Sequence, residues 1–184
     1  LNPQDLEQAA ATRAGRWKML LVMLVCAAPV LASYFTYYVV RPEGRRNYGE
    51  LINPLRPIPA ALVGTDAQGR TVPLGSLKDQ WLFVSVADSA CNPVCEHHLL
   101  EQRQLREGLG KDKDRLDWVW LRTDNAPLSP ALQQATQRAT VLSVDPVALA
   151  QWLQAAPGQQ LADHLYVVDP MGNWMMRFPP QADP

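Results

Sequence analysis

Residues 81–109 read WLFVSVADSACNPVCEHHLLEQRQLREGL, and the pattern changes twice within them. Trp81 to Val86 is a mostly apolar run of strand length. Asp88 to Cys95 is polar and reads as a loop. Pro93 then stands where proline is tolerated, in the first turn of a helix that the pattern carries to about Leu109. Strand, loop and helix in this order form the unit around which a layered α/β sheet is built.

The loop holds two of the chain's three cysteines. In Ser89-Ala90-Cys91-Asn92-Pro93-Val94-Cys95-Glu96-His97-His98 the first sulfur falls just before the helix and the second inside its first turn. Both can therefore meet at one point, where a helix N-terminus favours thiolate. Two thiolates so spaced close a disulfide or bind a soft metal such as Cu(I), and an oxidising compartment permits either. A fixed structural disulfide is the plain alternative, although so short a loop gains little stability from a cross-link. Covalent haem needs two residues between the cysteines and His directly after the second, whereas here three intervene and Glu96 follows. A zinc site would need Cys95, His97 and His98 on one helical face, which they do not share. His97 and His98 are accordingly expected as solvated residues on the first turns of the helix.

Outward from this unit the alternation continues. Leu116 to Leu121 (LDWVWL) reads as a second buried strand, Ser129 to Gln137 as a helix and Thr140 to Val144 as a short third strand. Asp145 is placed as an N-cap with Pro146 at the first helical position, starting a helix to about Ala155. Leu165 to Val168 and Trp174 to Phe178 form a hairpin across Asp169 to Asn173. A smaller hairpin, Leu62 to Thr65 with Thr71 to Leu74, opens the domain. The order is hairpin, βαβαβα, hairpin, which implies a mixed sheet flanked by helices. Trp118, Trp120 and Trp152 are expected in its core. The remaining histidine, His164, follows Asp163 at the edge of an apolar strand and by itself reads as a loop residue.

Before the domain, Arg41 to Pro59 carries Pro42, Pro54, Pro57 and Pro59 and reads as an extended tether. Met19 to Val40 is a 22-residue run without a charge, preceded by a tail over residues 1–18. As a helix it would cover roughly 33 Å, enough for a hydrocarbon core of about 30 Å. Trp17 before it and Tyr34, Tyr37 and Tyr38 near its end have the character of interfacial belts. A cleaved signal peptide is the rival, with Val30-Leu31-Ala32 before Ser33, but the run stays apolar through Val40. Basic residues balance across the span, Arg13, Arg16 and Lys18 against Arg41, Arg45 and Arg46. The 144 residues after the span, against 18 before it, favour export of the C-terminal part. Lys plus Arg is 17 against 18 for Asp plus Glu, without the basic excess that nucleic-acid binding requires. No GxGxxG or phosphate loop occurs, so nucleotide chemistry has no foothold.

Together, the Cys91-Asn92-Pro93-Val94-Cys95 loop and the distal Asp163-His164-Leu165-Tyr166-Val167-Val168-Asp169-Pro170-Met171-Gly172 resemble the Sco/SenC family of membrane-anchored copper proteins. The resemblance implies a thioredoxin-like domain over 60–184, with copper held by Cys91, Cys95 and His164. It further implies residence in the bacterial inner membrane with the domain in the periplasm. The partners it implies are cytochrome c oxidase subunit II, whose dinuclear copper centre would be supplied or whose cysteines would be reduced, or other oxidase assembly factors. The chain departs from the family pattern at Glu96, where proline is usual after the second cysteine, and before Cys91, where a threonine-aromatic lead is customary. Two other functions fit the same residues. One is a thiol-disulfide oxidoreductase with Cys91 as nucleophile and Cys95 as resolving thiol. The other is an accessory subunit with a fixed disulfide.

Overall fold

The computed structural model describes residues 3–40 and 48–180. They belong to two compact units divided between Arg46 and Asn47. The first is α1 (Pro3–Phe35), which continues into a π-helical turn, Thr36–Val40. Within it Gly15–Val39 is 25 residues long and apolar enough to cross a membrane. Its length as a helix, about 37 Å, exceeds the hydrocarbon thickness.

The second unit carries one eight-stranded mixed sheet. Its strands are β1 (Glu50–Pro57), β2 (Val63–Thr65), β3 (Thr71–Pro73), β4 (Trp81–Ala87), β5 (Leu116–Arg122), β6 (Thr140–Val144), β7 (Leu165–Val168) and β8 (Asn173–Arg177). They lie in the order β1-β8-β7-β4-β5-β6-β2-β3. The helices are α2 (Pro93–Gly108), α3 (Pro130–Ala135) and α4 (Pro146–Trp152). β4, β5 and β6 are parallel, and β7 runs antiparallel beside β4 with Leu165 opposite Ser85.

Alternation along the central strands sends side chains to two cores. Leu82, Val84 and Val86 of β4 and Val119 and Leu121 of β5 pack with Leu149, Trp152 and Leu153 around α4. On the opposite face Ala87, Trp118 and Trp120 pack with Cys91, Cys95 and Leu99, joined by Leu128 and Leu132 from around α3. All three tryptophans expected in the core are buried. At about 25 cal/mol per Å² of apolar surface removed from water, each such aromatic contributes several kcal/mol before its entropy cost.

The stretch 41–59, expected as an extended tether, is divided. Residues 41–47 lie outside the described residues, whereas Glu50–Pro57 forms β1 and pairs antiparallel with β8, Glu50 opposite Arg177 and Arg56 opposite Trp174. Extended and β conformations are neighbours in backbone space, and an edge strand tolerates proline. What captures the segment is tertiary: Ile52 and Ile58 pack on the α4-side core, and the Trp152 indole Nε1–H donates to the Arg56 carbonyl at 3.2 Å. The domain therefore begins a dozen residues ahead of Ala60.

Candidate redox and metal site

Cys91 and Cys95 are joined by a disulfide, with their Cα atoms 5.1 Å apart, while Cys26 is free and exposed within α1. Both bridged residues are buried, at 4% and 2% exposure. The local sequence explains how α2 starts between them. Asn92 is its N-cap, accepting from the Cys95 N–H at 2.9 Å, and Pro93 occupies a first-turn position where no backbone donor is needed.

Cys91 has φ of +46°, in the left-handed region that costs a residue with a side chain about 1 kcal/mol or more. Hydrogen bonds from both sides hold the loop there. The Cys91 N–H donates to the Asp88 carboxylate at 3.1 Å and to its carbonyl at 3.3 Å. The Ser89 N–H donates to Asp124 Oδ1 at 3.0 Å, and the Ser89 hydroxyl bonds the same oxygen. Asp124 is positioned in turn by the Ser143 hydroxyl, which donates to its carbonyl at 2.9 Å. The cysteine loop is thus latched to the loop that follows β5.

His164 arrives at the same end of the sheet, because it precedes Leu165, the partner of Ser85 near the end of β4. It follows a short 3-10 turn, Leu161–Asp163, which is pinned by the Tyr166 hydroxyl donating to the Leu161 carbonyl at 3.0 Å. Burial pushes the Tyr166 phenol well above its ordinary pKa, so it remains a donor. His164 itself is 1% exposed. Its Nε2 accepts from the Ala156 N–H at 3.1 Å, which requires the ring proton to lie on Nδ1, where it is donated to the Phe178 carbonyl at 2.8 Å. Both nitrogens are engaged with backbone partners. Among the described residues no three His, Cys, Asp or Glu side chains are gathered to hold a metal ion with the disulfide closed.

Expectation and structure part at His98. His97 is exposed and faces Glu101 at 3.2 Å, as a solvated residue should. His98 is instead 5% exposed and lies on the inner face of α2 with Cys95, Leu99 and Gln102. The spacing of these four, three to four residues apart, was the available signal, since it defines one buried helix face. Its pKa is lowered from 6.5 to about 4, chiefly by burial and then by repulsion from His97 and His164, with Asp163 opposing. Gln102, deeper on the same face, accepts from the Ser85 hydroxyl at 3.0 Å and donates to the Phe83 and Val119 carbonyls at 2.6 and 3.2 Å. Among the described residues two buried side-chain polar atoms lack a hydrogen-bond partner, His98 Nδ1 and Trp120 Nε1, and both belong to the α2 side of the sheet.

A buried cysteine pair at the junction of a central strand and its following helix, in a mixed sheet covered on both faces, places the molecule in the thioredoxin-like class. Within that class the chain belongs to the family described as transmembrane-like, thioredoxin-like, C-terminal domain, which matches residues 81–184. Among solved structures it is similar to apo Sco1 from Thermus thermophilus, with 20% identity, 75% of this chain and 90% of that chain covered, and a TM-score of 0.56. A putative electron transfer protein from Aquifex aeolicus is similar at 14% identity, covering 67% of this chain and 83% of its own, with a TM-score of 0.51. ScoI from Bradyrhizobium japonicum, solved with copper bound, has 21% identity, coverage of 65% and 88%, and a TM-score of 0.49. At these identities the likeness is one of fold. Among curated proteins none matches the chain.

Proposed function

We propose that this is a membrane-anchored, Sco-like protein whose Cys91/Cys95 pair cycles between disulfide and dithiol and, as the dithiol, carries copper for cytochrome c oxidase assembly. The observation that carries this reading is the bonded pair at the head of α2 within a thioredoxin-like sheet. Opening the disulfide takes two electrons and two protons from an external dithiol. Cu(I) then displaces the two thiol protons and is held by two soft sulfurs. Copper is cargo here, and the acceptor is the dinuclear copper site of oxidase subunit II or another oxidase assembly factor. Gly15–Val39 anchors the chain in the bacterial inner membrane, with the domain on the periplasmic side.

His164 is the nitrogen donor proposed for that copper. Ligation by Nε2 uses the lone pair that now accepts from Ala156, so loading copper would require that hydrogen bond to be given up. The same fact favours a second function, a thiol-disulfide oxidoreductase in which Cys91 is attacked or attacks and Cys95 resolves, with His164 serving only as a brace. Titration of the reduced chain with Cu(I) against a competing chelator separates the two. Stoichiometric binding that weakens at least tenfold in His164→Ala supports the chaperone. A reduced wild type that takes up no Cu(I) yet exchanges disulfides with a dithiol overturns it in favour of the oxidoreductase.

A further inference from the structure

His98 is a buried imidazole with an unpartnered Nδ1, a state that folding tolerates poorly, since a buried polar atom without a hydrogen bond has lost its water and gained nothing in return. The chain could have placed leucine on this inner face, as it does one residue later at Leu99. Two features of its position suggest what the bare nitrogen serves. His98 is one turn after Cys95 on the same face of α2, and helical side chains tilt toward the N-terminus, so its ring lies over the turn that carries the second sulfur. The same helix packs against the Leu161–Asp163 turn that precedes His164. The helix that carries His98 therefore bears the second cysteine and also meets the turn that leads into His164.

We infer that His98 is a donor to the copper held by the reduced Cys91/Cys95 pair, a role that needs no existing hydrogen bond to be broken. The inference rests on the copper-carrying function proposed above. His164 must release Ala156 before it can ligate, whereas His98 Nδ1 already carries an uncommitted position. Burial keeps the ring neutral through the physiological range, and neutral imidazole is the form that binds metal. Two thiolates with one or two imidazoles give a soft, compact donor set suited to Cu(I), and the nitrogens extend it to Cu(II). In the oxidised protein the sulfurs are bonded to each other, which leaves His98 without a partner.

The experiment compares His98→Leu with wild type. Leucine fills the space and removes the unmatched nitrogen, so a purely structural His98 predicts an apo protein at least as stable as wild type and unchanged copper affinity. On the proposal, the apo variant unfolds at or above the wild-type temperature. At the same time its Cu(I) affinity, by chelator competition, falls at least tenfold, and X-ray absorption of the copper form loses one nitrogen neighbour. His98→Gln, which keeps a polar donor set at similar length, guards against the case in which leucine misfolds, and it should fall in the same direction. Wild-type affinity in His98→Leu or His98→Gln, with loss confined to His164→Ala, removes His98 from the site while leaving the copper function standing. No copper uptake by wild type defeats the functional reading itself, and this inference with it.

Discussion

A single side chain makes the stability of this domain sensitive to mild acid. His98 has a pKa of about 4 in the folded protein against 6.5 for the free side chain, so the unfolded chain binds its proton first as pH falls. The sign follows directly. His98 costs the fold nothing through protonation above about pH 6.5, and stability falls progressively as pH drops from there to about 4, because only the unfolded chain accepts the proton in that window. Urea unfolding at pH 7 and pH 4.5 should therefore show a steeper loss for wild type than for His98→Leu, and identical slopes would refute the burial of His98. His97, exposed and beside Glu101, shows how far two adjacent residues on one helix diverge in burial.

At the scale of elements, the cysteine loop is only as rigid as its latch. Asp124 holds Ser89 by its backbone N–H and its hydroxyl, and it reaches that position from the loop after β5. Asp124→Ala leaves the Ser89 donors unmet, a cost of about 1–3 kcal/mol, and loosens the loop two residues ahead of Cys91. The expected outcome is a several-fold faster reduction of the disulfide by dithiothreitol. Tryptophan fluorescence can follow it, because Trp118 and Trp120 share a packed cluster with both cysteines. A reduction rate equal to that of wild type would show that the latch does not govern the loop. Asn92→Ala acts on the same loop from the other side. Removing the N-cap bond to the Cys95 N–H should lower stability by about 1 kcal/mol, measured by thermal unfolding.

For the whole molecule, the two units make separate predictions. Alkaline carbonate extraction should leave the full chain in the membrane pellet, held by Gly15–Val39, and recovery in the supernatant would discard the anchor. A chain beginning at Tyr48 should remain soluble and keep the disulfide. Starting instead at Ala60 removes β1, which strips the pairing of β8, breaks the ion pair of Arg177 with Glu50 and leaves the Trp152 indole without the Arg56 carbonyl. That shorter chain should unfold at least 10 °C lower or aggregate through the bared edge of β8, as judged by calorimetry and size-exclusion chromatography.

Much of this was legible in the chain because its causes are local. Apolar runs from Trp81, Leu116 and Thr140, Pro93 in the first turn of α2, the cap Asp145 with Pro146 beside it, and the turn at Asp169 to Asn173 act within a few residues of themselves. The cysteine pair is equally local, since four residues and a helix start bring the sulfurs together. What the chain by itself left open depends on partners far away in sequence. Whether Glu50 to Pro57 stays an extended tether or becomes a strand depends on β8 and Trp152. Whether a buried His98 finds hydrogen-bond partners depends on what the sheet and the turn before His164 bring against α2. Whether His164 offers a lone pair depends on Ala156 and Phe178. Burial and hydrogen-bond occupancy are properties of what packs against a side chain, so only the tertiary structure could decide which imidazole is committed to the fold and which still has a nitrogen free.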